Sequence, residues 1–203
     1  MGIKGDPVFT ENLGVIKNEL EGKLDRLKTG LFPFELDIIK VLYCFCPEAY
    51  DPLNKKQWDS DSVWTERVKK ELLELGNAKG FLVFPDPSKF YGGSEWLFDL
   101  VWVVAKYESG GSFDWRQTRG IALACESEWS IQEENILEDF YKLTFVLSEL
   151  RLFIYTNRTI TGKGINTADL CRKVCPLSRG FRYLLVGYPE NSNGKFQIDA
   201  WIA

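Results

Sequence analysis

The sequence predicts an α/β fold, and three observations carry that reading: the hydrophobic period changes along the chain, the elements it implies alternate in type, and the apolar content suffices for one core. The chain has 203 residues, of which 45% are hydrophobic and 14% aromatic. A chain of this size buries about 70% of its unfolded surface and needs neither a disulfide nor a metal to fold. One domain is expected over 1–203, with a helical extension at 1–60, a core at 62–156 and a C-terminal helix and β-hairpin at 157–203.

The elements follow in order. Leu13, Ile16, Leu20, Leu24 and Leu27 recur at helical spacing among charges, so 11–28 reads as an amphipathic helix ending at Gly30. The mostly apolar run 33–46 also reads as helix, although its period is ambiguous. Residues 47–62 are polar, contain Asp51-Pro52 and read as a loop. Trp64, Val68, Leu72 and Leu75 form one stripe of a helix over 62–75, capped by Asp61 or Ser62 and stopped by Gly76. Then the period changes. Residues 80–84 make a short strand closed by Pro85, and 95–106 form a longer one on which Leu97, Asp99, Val101 and Val103 share a face. After the Gly110-Gly111 turn, 117–129 read as its hairpin partner, with Ala122, Ala124, Glu126 and Glu128 on one side.

Ser130 with Glu133 three residues on is a capping box, which predicts a helix whose stripe runs through Ile136, Phe140, Leu143, Leu147 and Leu150. A buried strand at 152–156, a short helix at 167–175 and a hairpin of 181–188 with 195–202 across the turn at 191–194 complete the chain.

Composition removes whole classes of chemistry. There is no histidine, so no mechanism needing an imidazole base and no His-containing zinc site is open to the chain. No run of eighteen apolar residues and no apolar leader occurs, so a soluble cytoplasmic protein is expected, without a membrane partner. The five cysteines are odd in number and suit a reducing compartment. A zinc site from Cys44, Cys46, Cys171 and Cys175 stands as the alternative to free thiols with packing roles.

Chemistry concentrates in the middle of the chain. Asp99 lies in an apolar run, and Glu126 and Glu128 lie near the end of the next strand. Burying such carboxylates is costly unless something positive compensates them. A hard divalent cation, Mg²⁺ or Mn²⁺, is the simplest partner, since it takes carboxylate oxygens, keeps waters and accompanies phosphate substrates. Against this, Glu126 and Glu128 projecting into solvent would need no ion.

WLFDLVW around Asp99 and ALACESEW around Glu126, in the order helix, strand, strand, strand, helix, strand, resemble the PD-(D/E)XK nuclease superfamily, also called restriction-endonuclease-like. The resemblance covers residues 62–156, about half of the chain. It implies an αβββαβ core with a mixed central sheet flanked by helices. It also implies a Mg²⁺-dependent phosphodiester hydrolase acting on nucleic acid, DNA rather than RNA. Asp99 and Glu126 match the metal ligands, with the backbone carbonyl of Ser127 as a third. The chain departs from the motif at Glu128, where lysine is expected. Lys142, on the following helix, is the residue to which some branches of this family move that lysine.

In this reading the metal polarises the phosphoryl oxygen and acidifies the attacking water, Glu128 binds a second ion or orients the water, and Lys142 offsets the developing charge. The plainer alternative for Lys142 is a helical ion pair with Asp139 or Glu138. Glu66 and Glu71 on the preceding helix are further acidic candidates that snorkelling explains equally well.

Charge is uneven. Residues 1–150 hold 17 Lys/Arg and 26 Asp/Glu, net −9, and 151–203 hold 8 Lys/Arg and 3 Asp/Glu, net +5. Arg151, Arg158, Lys163, Arg172, Lys173, Arg179 and Arg182 are therefore candidate phosphate contacts, and Trp115 with Arg116 a candidate base-stacking pair. Two rival functions remain from other classes: a catalytically silent nuclease-like fold kept as a nucleic-acid or protein interaction module, which the Glu at 128 favours, and a regulatory partner without nucleic acid, which the acidic first three-quarters favours.

Overall fold

Along each central strand, successive side chains enter two different apolar clusters, because a strand sends alternate residues to opposite faces and both faces here are covered. The structure is a computed structural model. It describes residues 33–44, 60–85, 97–105, 118–160, 162, 164–175, 181–189 and 196–202. The helix expected at 11–28, most of the 47–62 loop, Trp115, Arg116, Lys163, Arg179 and the turn at 191–194 lie outside those residues.

The described helices are α1 (Pro33–Cys44), α2 (Asp61–Ala78), α3 (Glu133–Phe145) and α4 (Thr167–Val174). The strands are β1 (Leu82–Phe84), β2 (Leu100–Val104), β3 (Gly120–Glu128), β4 (Ser148–Thr156), β5 (Arg182–Tyr188) and β6 (Gln197–Ile202). They form one mixed open sheet in the order β1-β2-β3-β4-β5-β6. The pairs β1/β2, β2/β3 and β5/β6 are antiparallel, and β3/β4 and β4/β5 are parallel. The expected order over 62–156 is thus found as α2, β1, β2, β3, α3, β4, and the α/β class holds.

On one face, Val68 and Leu72 of α2 and Ile38, Ile39 and Leu42 of α1 pack on Trp102, Leu123, Leu152 and Val186. On the other, Ile136, Phe140 and Leu143 of α3 and Ala168 and Cys171 of α4 pack on Val101, Ala124, Phe153 and Leu185. No described helix is long and apolar enough to cross a membrane.

Several boundaries differ from expectation, each for a local reason. Gly76 does not stop α2, which starts after Ser60 and runs through to Ala78. Instead it lets the helix approach the sheet: a Cβ there would sit 2.6 Å from Trp102 Nε1 and 2.6 Å from Val83 Cγ2. Gly76→Ala is therefore expected to destabilise the fold by about 1–3 kcal/mol through overpacking, despite a gain of roughly 1 kcal/mol in helix propensity. Urea unfolding followed by circular dichroism measures this, and a neutral result would contradict the close approach.

The capping box does not form. The N-cap of α3 is Gln132, and Ser130 Oγ accepts hydrogen bonds from Gln132 N and Asn135 Nδ2. The helix also ends at Phe145, leaving Leu147 78% exposed, while Leu150 belongs to β4. Between β2 and β3 the register shifts, Trp102 facing Leu123 and Val103 facing Ile121. Ala122 is thereby the extra residue of a bulge and leaves the face it was expected to share with Ala124.

Arg151 and Arg182 are not on a nucleic-acid surface. Arg151 is fully buried: Nε donates to Leu143 O at 2.8 Å, and the two terminal nitrogens donate to Ser148 O and Val146 O. These are carbonyls at and just after the end of α3, where a cation meets the negative end of the helix dipole. Its guanidinium also stacks 3.6 Å from the Phe181 ring centroid. Arg182 forks onto Glu35, Nε to Oε1 at 2.6 Å and one terminal nitrogen to Oε2 at 2.8 Å. Arg172 pairs with Asp199, while Arg158 and Lys173 are exposed. Of the zinc alternative, Cys46 lies outside the described residues, and among the described ones α1, which ends at Cys44, and α4, which carries Cys171, pack on opposite faces of the sheet, which does not favour a shared ion.

Candidate acidic site at the end of the β2/β3 hairpin

The antiparallel register fixes the first two members of the site. Leu100 pairs with Cys125, so Asp99, one residue before β2, stands beside Glu126. Asp99 was expected within a strand; it precedes one, and Leu97 is 68% exposed rather than on the shared face. Asp99 is held firmly all the same. Its Oδ2 accepts from Ser127 N at 2.8 Å and from Ser127 Oγ at 2.6 Å, and its Oδ1 lies 3.1 Å from Lys69 Nζ.

Glu126 is buried, following Ala124 onto the face covered by α3. Among the described residues its Oε1 has no hydrogen-bond partner, and Lys142 Nζ stands 3.8 Å away. Burial first, and then the negative charge of Asp99, push its carboxyl up to about 8, although Lys142 and the Asp99 backbone N–H act in the other direction. Glu126 therefore holds its proton at neutral pH unless a stronger cation arrives.

This sets the sign of a pH effect on the metal-free protein. The native carboxyl releases its proton near about 8 and the unfolded one near its ordinary 4.5. Within that window the native state binds more protons, so stability falls as pH rises, by about 1.4 kcal/mol per unit from this group. Chemical unfolding at about pH 5 and about pH 8 is expected to show a smaller loss in Glu126→Gln than in wild type. Equal losses would contradict the burial of a titrating carboxyl.

Glu128 is half-buried, and its Oε1 accepts from Ser130 N at 2.6 Å. Burial raises its carboxyl, the Ser130 bond opposes this, and a hydrogen bond and charge from Asp139 raise it further. Lys142 lies 2.6 Å from Asp139 Oδ1. Burial works against its charge, but Asp139 and Glu126 together raise it above its usual value. The ion pair foreseen as the plainer alternative and the approach to Glu126 thus occur together.

The structure brings Asp99, Glu126, Ser127 and Lys142 together, with Glu128 linked to them through Asp139. Ser127 enters through its N–H and hydroxyl, which orient Asp99. Glu71 is paired with Arg67, and Glu66 is exposed.

Lys69 went unread in the sequence, and Asp139 was read only as an ion-pair partner of Lys142, not as a neighbour of Glu126 and Glu128. Asp139 carried a signal, since it stands three residues from Ile136 and four from Leu143, among the inward positions of α3. Lys69 carried a weaker one as the neighbour of the buried Val68.

Among the described residues no group of three or more Cys, Asp or Glu side chains is disposed to hold a metal ion. The donor set is smaller: an orphaned buried oxygen on Glu126 beside the oriented carboxylate of Asp99. This fits a hard cation such as Mg²⁺ that keeps most of its waters and takes one or two carboxylates. Comparison with protein-family profiles, curated proteins and solved structures gives no match to this chain.

Proposed function

We propose that the chain is a metal-dependent phosphodiester hydrolase of the restriction-endonuclease-like kind, acting on nucleic acid, DNA in the first instance. The observation that carries the reading is the buried, unpartnered Oε1 of Glu126 beside Asp99, with lysines on two sides. An isolated acid so buried is unfavourable, and a pair of them more so, unless a ligand compensates both. The strand and helix order around it, with β3 and β4 parallel across α3, agrees with the architecture that the sequence resemblance implies.

Asp99 and Glu126 would hold Mg²⁺ or Mn²⁺, which supplies an acidified water and a polarised phosphoryl oxygen when bound. Ser127 fixes the direction of the Asp99 carboxylate through two hydrogen bonds. Lys142, restrained by Asp139, offers positive charge on the α3 side of Glu126, which suits it to a phosphate oxygen in the transition state. Glu128, its carboxyl raised by burial and by Asp139 and its Oε1 held by Ser130 N, stands where it could orient a water.

A second reading has one observation in its favour: both oxygens of Asp99 are already engaged, by Ser127 and Lys69. A fold satisfied in this way can serve as a silent nucleic-acid or protein interaction module. Incubation with plasmid, single-stranded DNA and RNA, in Mg²⁺ or Mn²⁺ against a chelator, separates the two. Chelator-sensitive cleavage supports the hydrolase. Salt-sensitive binding without cleavage, unchanged in Glu126→Gln, selects the module.

A further inference from the structure

We infer that Lys69 is the internal counter-ion of this site: its ammonium holds the Asp99 oxygen that a divalent cation would take, and it competes with that cation for it. The inference rests on the metal-site reading above and adds a residue to it.

The two acids of the pair are unlike. Among the described residues, Glu126 Oε1 has no hydrogen-bond partner, and the cation facing it, Lys142, is at 3.8 Å, outside hydrogen-bond range. Asp99 Oδ2 is occupied by both donors of Ser127, leaving Oδ1 for an ion, and Lys69 Nζ stands 3.1 Å from Oδ1. Lys142 is differently engaged, its short contact of 2.6 Å being with Asp139. The lysine touching a proposed ligand oxygen at bonding distance is therefore Lys69, not the one that the resemblance points to.

Its approach is built into the fold. Val68 and Leu72 anchor α2 in the core, and Gly76 lets the helix lie close to Trp102 and Val83. Lys69 thus reaches Asp99 from the α2 layer, while Lys142 comes from the α3 layer on the other face. The contact is only partly covered, with 20% of the Lys69 side chain and 18% of Asp99 exposed. An ammonium is a point charge on a flexible four-carbon stem, so it can leave the carboxylate by rotation within its own side chain. A divalent ion arriving at Oδ1 repels it at close range and gains the oxygen it gives up.

Calorimetric titration of the full chain with Mn²⁺ tests this in wild type, Lys69→Gln, Lys69→Met, Lys69→Arg and Glu126→Gln, each checked for folding by circular dichroism. Removing the competing charge is expected to tighten Mn²⁺ binding by at least about tenfold in Lys69→Gln and Lys69→Met. Lys69→Arg, which keeps the charge, should bind no more tightly than wild type. Equal Mn²⁺ affinity in wild type and either folded neutral variant would overturn the role of Lys69 and leave the metal site standing. Absence of Mn²⁺ uptake by wild type and both neutral variants alike would overturn the metal site, and the role of Lys69 with it.

Discussion

Asp99→Asn and Glu126→Gln are each expected to lower Mg²⁺-supported DNA cleavage by about 10³-fold, equivalent to roughly 4 kcal/mol of transition-state stabilisation. Both variants keep the size and shape of the side chain while removing its ability to meet a cation as a carboxylate. In Asp99→Asn the Ser127 contacts persist in part, so the backbone geometry at the β2/β3 end should survive. In Glu126→Gln a neutral amide replaces a carboxyl that burial already keeps protonated near neutrality. The folded metal-free protein should therefore tolerate the change, and loss of cleavage would report on chemistry. Glu66→Gln, on the exposed side of α2, is the matched control and should retain activity. Supercoiled plasmid relaxation over a range of Mg²⁺ reads all three variants. Cleavage by Asp99→Asn at the wild-type rate would remove Asp99 from the reaction.

The second large effect is structural. Glu35 is fully buried, and Arg182 meets it with two parallel hydrogen bonds, joining α1 to β5. At the other end of β5, Tyr188 Oη donates to Leu42 O at 2.6 Å and ties the same two elements together. Removing one member of a buried pair takes from the other the counter-charge it forks onto, which costs about 3–5 kcal/mol. Against a total stability of roughly 5–15 kcal/mol, Glu35→Leu or Arg182→Met alone should shift the urea midpoint far downward. The double variant should recover much of the loss, because an apolar pair needs no counter-charge. A double variant as unstable as the sum of the singles would show that packing, not the charge pair, holds α1 in place.

Much of the fold could be read from the residues, because period and order are local properties. The alternation along β3 put Ala124 and Glu126 on one side, though Ala122 left it, and the stripe of Val68 and Leu72 identified the buried side of α2. What was misread has physical causes beyond local pattern. Gly76 resembles a helix stop, yet it remains helical because Trp102 needs the space over it. The bulge at Ala122 depends on the partner strand and leaves no mark on alternation.

Arg151 and Arg182 counted as surface charge until their partners were known: three carbonyls near the end of α3 in one case and Glu35, 147 positions away, in the other. In the candidate site, Asp99 and Glu126 were visible as acids in apolar strands. Lys69 was not, since its meaning arises only from the approach of α2 to the start of β2.

The most direct measurement is Mn²⁺ uptake followed by electron paramagnetic resonance in wild type and Glu126→Gln, with Lys69→Gln alongside, at equal concentration. Wild type should withdraw Mn²⁺ from solution in proportion to chain, and Glu126→Gln should leave the free-ion signal unchanged. The same uptake in wild type and Glu126→Gln, or none in wild type and Lys69→Gln alike, would contradict a cation site built on the buried oxygen of Glu126.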